Sequence, residues 1–293
     1  MAKKMTMADI ASLSGVGKST VSRYFNGGYV KDETRAKIQK VIEEYNYTPN
    51  AFARLNAKQS NVIGVVVPTL NSKITSRVIT SIDRYLREKG YTTLIQNSDH
   101  NIDQELQNIQ RLIQLNVDGI LISSIAITKD HKELLKKAGI PVVVLTQDYE
   151  DGISIIYDDY HAGKAMGEHI GKKGHQKVGY IGVYETDKAV GTERRNGVLD
   201  GLKEYGITPV IGKSDYSFLG GQTVARELLE KEPDLDAIIC ATDRLAFGTY
   251  KILHEYKKEI PEEVSVAAFG GYDESALLTP ELTTLKFDSY GMG

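Results

Sequence analysis

The chain has 293 residues, 41% of them apolar, with one cysteine, no tryptophan and a formal net charge of −3. That length and composition predict a folded protein of more than one domain. Cys240 alone excludes an internal disulfide, the opening MAKKMTMADI lacks an apolar stretch of signal-peptide length, and no apolar run approaches a membrane span, so a soluble cytoplasmic protein is expected. Charge is unevenly divided: residues 1–60 carry ten Lys/Arg against five Asp/Glu, a balance of +5, which leaves −8 for the remainder. A basic head on an acidic body points to a head that meets a polyanion.

In chain order, Thr6 is placed to cap a helix over Met7 to Leu13, in which Ile10 and Leu13 share a face. Ser14-Gly15-Val16 makes a turn, a second helix runs from Lys18 to about Phe25, and Asn26-Gly27-Gly28 breaks the chain. A third helix is expected from Asp32 to Tyr45, with Ile38, Val41, Ile42 and Tyr45 on its inner side. This is the spacing of a helix-turn-helix, whose second helix presents its N-terminal end to the major groove. Lys18, Ser19 and Arg23 are the base-reading candidates, because Lys and Arg suit guanine and Ser serves several base edges. Thr6, Thr20, Ser22, Asn26 and Thr34 are short donors at helix starts and turns, suited to phosphate contacts or to local capping. Gly17-Lys18-Ser19 is no phosphate loop, since Ser12 stands where that motif needs glycine and no strand precedes it.

From Asn61 the texture changes to apolar strands alternating with amphipathic helices. Strands are expected at 62–68, 92–96, 119–124 and 141–145, then at 177–182, 208–212, 237–241 and 264–270, with a helix after nearly every one. Near-continuous apolar strands between helices predict α/β architecture with doubly wound parallel sheets, two in tandem making a two-lobed body. Ligands in such folds bind beyond the carboxyl ends of the strands, so the loops after Pro68, Leu145, Gly182, Ala241 and Phe269 should converge on one cleft.

The strings TMADIASLSGVGKSTVSRYFN and TRAKIQKVIEEYNYTPNAFAR resemble the head of the lactose/galactose repressor (LacI/GalR) family. YDDYHAGKAMGEHIGKKGHQKVGYIG, ERRNGVLDGL, CATDRLAFG, VSVAAFGGYD and PELTTLKFD continue the resemblance over essentially the whole chain. It implies a homodimeric transcription regulator on pseudo-palindromic operator DNA, a type I periplasmic-binding-protein-like core, and a sugar effector that controls operator affinity. It also implies a hinge helix from Pro49 to about Lys58, with Asn50, Ala53 and the wedge Leu55 at the minor groove. Here the chain reads Ala53-Arg54-Leu55-Asn56 where the family has A-R-S-L. The expected domains are a head at 1–47, a hinge at 48–60, an N-terminal lobe at 61–158, a C-terminal lobe at 159–288, and a crossover at 289–293 in a chain truncated relative to the family.

Arg194 and Asp243 sit on motifs similar to the family's effector contacts, although Asp243 also reads as a helix cap. Asp158 and Asp159 follow a short strand at a lobe crossover, where either contacts effector or holds the lobes together. Arg195 beside Arg194 favours a phosphorylated sugar, as in the trehalose-operon repressors that this neighbourhood resembles. Gln147 and Thr69 stand where those repressors carry further arginines, which keeps a sucrose-type or other disaccharide open. Ser72, Gln147, Phe269, Tyr272 and Phe287 are further lining candidates by position. Neither a cofactor nor a metal is expected: the six histidines are scattered, no ligand spacing occurs, and no serine lies on a nucleophile elbow, so an enzyme is disfavoured. The rival readings are an exported sugar-binding protein, against which the head argues, and a regulator answering to a purine or a partner protein.

Overall fold

The structure, a computed structural model, describes residues 5–25, 28–47 and 59–293. It divides into two compact units, Met1–Ser60 and Asn61–Gly293. In the first, α1 (Met7–Ser14), α2 (Lys18–Phe25) and α3 (Asp32–Glu44) close on Ile10, Ala11, Val21, Val30, Ile38 and Val41. Thr6 forms a capping box with Asp9, and Gly15 ends α1 at φ 66°, a left-handed conformation that glycine adopts without strain. Leu13 departs from the expected inner face and is 49% exposed, and Tyr45 follows α3 as an exposed cap. Among the described residues the small core is made by the six buried side chains and by partly buried ones such as Val16, Phe25 and Ile42, and neither Leu13 nor Tyr45 joins it. Asn26, Asn50, Ala53 and Leu55 lie outside the described residues, as does nearly all of the expected hinge.

The second unit contains two five-stranded parallel sheets. The first combines β1 (Val62–Val67), β2 (Thr92–Asn97), β3 (Gly119–Ser123), β4 (Val142–Leu145) and β5 (Ile153–Ile155) in the order β2-β1-β3-β4-β5. The second combines β6 (Val178–Val183), β7 (Val210–Ser214), β8 (Ala237–Cys240), β9 (Ser265–Phe269) and β10 (Thr283–Leu285) in the order β10-β9-β8-β6-β7. Read from the opposite edge, the second order is the first one repeated. Each lobe therefore reverses strand order beside its first strand, the position at which doubly wound sheets open a crevice.

The covering helices are α4 (Lys73–Glu88), α5 (Ile102–Gln114) and α6 (Lys129–Lys137) on the first sheet, and α7 (Asp159–Lys172), α8 (Arg195–Lys203), α9 (Phe218–Lys231) and α10 (Asp243–Glu255) on the second. Strand β6 is buried along its whole length, as a sheet covered on both faces requires. A wider π-helical segment, Lys188–Arg194, which the sequence pattern does not announce, runs directly into α8. The chain changes lobe twice, at 156–158 and 286–288, where Tyr157 packs on Phe287 with ring centroids 4.8 Å apart. Residues Ser289–Met292 form a short helix, α11, and Met292 joins Val78, Ile79 and Ile82 of α4 in the first lobe's core.

Candidate effector cleft and DNA-reading face

Lys18, Ser19 and Arg23 are exposed on α2, while Val21 between them is fully buried. The 18, 19, 22, 23 spacing places these polar residues in one stripe, because residues four apart lie above one another on a helix. Gly28 lets the chain pass close over Arg23: its amide donates to the Arg23 carbonyl at 2.9 Å, and a Cβ there would fall 2.5 Å from Arg23 Cγ. Thr20, Ser22 and Thr34 are half-buried. Thr6 is exposed, but its hydroxyl already accepts the Asp9 amide and donates to the Asp9 carboxylate at 2.6 Å.

The loops beyond β1, β4, β6, β8 and β9 border a single cavity of about 540 Å³, as do those beyond β2, β3 and β7. Among its lining residues is Arg194, whose side chain is 6% exposed. Its Nε and Nη2 donate to Asp159 Oδ1 at 2.8 and 2.5 Å, and Nη1 donates to the Ala241 carbonyl at 2.6 Å. The guanidinium also lies 4.9 Å from the ring centroids of both Phe269 and Phe287, so charge, hydrogen bonds and π-faces together fix its plane. Two glycine-lined helices bring these residues together. A Cβ on Gly163 of α7 would sit 2.1 Å from the Arg194 carbonyl oxygen, and one on Gly197 of α8 would sit 2.0 Å from that of Tyr160. Only hydrogen at those positions allows the helices their approach.

Of the residues singled out from sequence, Ser72, Gln147, Asp159, Arg194, Phe269, Tyr272 and Phe287 line the cavity, together with Thr69. Asp158, Arg195 and Asp243 do not. Asp158 is the exposed N-cap of α7, accepting the His161 amide at 3.1 Å, and that backbone hydrogen bond, followed by the one to the His161 ring, holds its carboxyl below the usual range. Arg195 follows Arg194 in the helical path and so turns about 100° away; it pairs with Glu185, which Lys213 also engages. The expected pair of adjacent guanidiniums in the cleft does not form. Asp243 is fully buried and accepts from the Tyr272 amide at 2.7 Å, Ser275 Oγ at 2.9 Å and Thr284 Oγ1 at 2.5 Å, tying down the loops around β10. Burial pushes its carboxyl pKa up, against those three hydrogen bonds. The cap of α10 is Thr242.

The cavity also gathers residues that the sequence reading missed: Asp99 and His100 after β2, Asp187 after β6, Asp215 and Tyr216 after β7, and Arg244. The His100 and Tyr216 rings stack across the lobes at 4.8 Å and 7°, and Gln147 Nε2 donates to Asp187 at 3.3 Å. Tyr216 donates to the same carboxylate. Burial pushes Asp187 up and His100 down from their ordinary values. One periodic signal was available for Asp159: with Gly163 and Gly167 it forms a four-residue spacing, the buried face of α7. No such signal exists for the residues on loops.

Further contacts hold the lobes together on the outer rim. Arg77 of α4 donates to the Gly271 carbonyl and to Asp273, both at 3.0 Å, Lys73 pairs with Glu274 at 2.9 Å, and Arg244 donates to the Asn71 carbonyl at 2.8 Å. Among the described residues, no helix is long and apolar enough to cross a membrane, and no group of three metal-binding side chains converges.

Residues 6–50 match the family model described as bacterial regulatory proteins, lacI family, and residues 60–290 match that of periplasmic binding proteins and the sugar-binding domain of the LacI family. The sucrose operon repressor of Staphylococcus xylosus is 33% identical over 283 residues, spanning 96% of this chain and 88% of that protein. A lac repressor dimer bound to operator and the anti-inducer ONPF superposes with a TM-score of 0.86 at 24% identity, over 99% of this chain and 89% of that one. A LacI family regulator from Enterococcus faecium with bound ribose gives a TM-score of 0.72 at 27% identity, over 79% and 85%. With a helix-turn-helix ahead of a two-lobed core whose cleft gathers aromatic faces, carboxylates and a fixed guanidinium, the chain belongs to the lacI family of bacterial regulatory proteins and is a DNA-binding transcription regulator with a sugar-binding domain.

Proposed function

We propose that this regulator is a homodimeric repressor of a carbohydrate-utilisation operon, released from or held on its operator by a sugar bound between the lobes. The observation that carries the reading is the cavity of about 540 Å³ enclosed by both sheets' carboxyl ends, on a chain that also presents Lys18, Ser19 and Arg23 on an exposed helix face. That volume falls in the range of small-molecule sites, and its lining of aromatic rings and carboxylates matches a ligand with apolar ring faces and hydroxyl edges. Two heads would place α2 in successive major-groove half-sites, with the hinge segments between them at the minor groove. A sugar that binds one arrangement of the lobes better than the other shifts operator affinity, and operator must shift sugar affinity by the same factor.

The test uses a duplex selected by the wild-type chain from a random-sequence pool, read by fluorescence anisotropy. Arg23→Ala lowers affinity for that duplex by about 1–3 kcal/mol, with sugar binding by the core unchanged. Equal duplex affinity in the two proteins removes Arg23 from the reading face, and a chain that selects no duplex overturns the regulator reading itself.

A further inference from the structure

We infer that the cleft selects an uncharged sugar and discriminates against its phosphorylated form, through the carboxylates Asp99, Asp187 and Asp215. The inference rests on the sugar reading and names the chemical class that this particular cavity accepts. Four carboxylates and two guanidiniums line the cavity. Asp159 and Arg194 neutralise one another in a buried pair. Asp99, Asp187 and Asp215 remain, each acting on His100 and none joined to a Lys or Arg by a salt bridge among the described residues. Arg244, the other guanidinium, reaches the Asn71 carbonyl, on the side of the cavity where Tyr272 meets Ser72.

Around His100 the groups are matched to hydroxyls. Asp187 already accepts from Gln147, Tyr216 and the Val190 amide, and a carboxylate has further lone pairs to offer. Asp215 accepts from the Ser217 amide at 2.8 Å and from its hydroxyl at 2.6 Å. Burial pushes His100 down from its ordinary value, and its buried Nδ1 has no hydrogen-bond partner among the described residues, which leaves it one bond to make with a hydroxyl. A neutral polyol donates to all of these acceptors. A phosphate, with about −1.5 to −2 charge and acceptor oxygens only, meets repulsion and unpaired lone pairs in a partly water-excluded site. The one side chain that argued for phosphate, Arg195, is turned out of the cavity and engaged by Glu185.

Isothermal titration of the full chain with glucose, ribose, sucrose, trehalose and cellobiose, each beside its 6- or 5-phosphate, tests this. The expected result is that the best-bound neutral sugar loses at least tenfold in affinity on phosphorylation, and that the Asp99→Asn/Asp215→Asn variant, changed only at exposed cavity-edge carboxylates, narrows that gap. A phosphosugar bound as tightly as its parent, or more tightly, overturns the inference while leaving the sugar reading intact. A gap that the double variant leaves unchanged overturns the assignment to these carboxylates. A full chain that still binds selected operator duplex but takes up no sugar of either kind overturns the sugar reading beneath it.

Discussion

Asp159→Ala isolates the interaction that organises the cleft. The Arg194 side chain is 6% exposed and that of Asp159 4%, and two of the guanidinium's donors converge on one carboxylate oxygen at 2.8 and 2.5 Å. Truncating the acid leaves a cation buried between two phenyl rings with the Ala241 carbonyl as its remaining strong acceptor. Breaking a buried pair in this way costs about 3–5 kcal/mol. For a unit of this size each kcal/mol corresponds to about 2–4 °C in melting temperature, so calorimetry of the ligand-free chain should show the core transition lowered by roughly 6–20 °C. Replacing both partners, as Asp159→Ala/Arg194→Met, removes the orphaned charge, and much of the loss should return. A single variant that melts within about 2 °C of wild type, or a double variant no more stable than the single one, refutes the claim that the pair is desolvated and mutually dependent.

Gly197→Ala places a methyl 2.0 Å from the Tyr160 carbonyl oxygen, so α7 and α8 must separate. A stability loss of about 1–3 kcal/mol is expected, together with weaker sugar binding as Arg194 shifts, and an unchanged melting temperature and sugar affinity would contradict the close approach. Arg77→Ala removes two of the cross-lobe hydrogen bonds at the outer rim without touching the cavity lining. It should shift the lobes toward an open arrangement, seen as a larger radius of gyration in small-angle scattering and a several-fold weaker apparent sugar affinity; identical scattering and affinity would show that the rim contacts do not govern closure.

The head, the strand-helix alternation and the two parallel sheets were legible in the sequence, because helix caps, the 3.6-residue period and unbroken apolar strands are local consequences of backbone hydrogen bonding and burial. VIGVVV could be little but an interior strand, and KSTVSRYF, with Val21 as its one fully buried residue, little but an exposed helix. Arg194, singled out on a motif, does line the cavity. What the sequence could not decide was which of two neighbouring residues faces the cavity. Asp158 and Asp159, Arg194 and Arg195, and Asp243 and Arg244 are each adjacent and alike in being charged, yet one helical step of about 100° sends one inward and its neighbour away. The direction is set by which helix face packs, and that depends on partners such as α7 against α8, distant in the chain or fixed only once glycines let two backbones meet. The same holds for His100, Asp187 and Tyr216. They come from three separate loops, and only the folding of two similar sheets against each other brings their rings and carboxylates to one wall. Local pattern therefore determined the elements and the family, whereas the charge of the cleft was decided by tertiary packing.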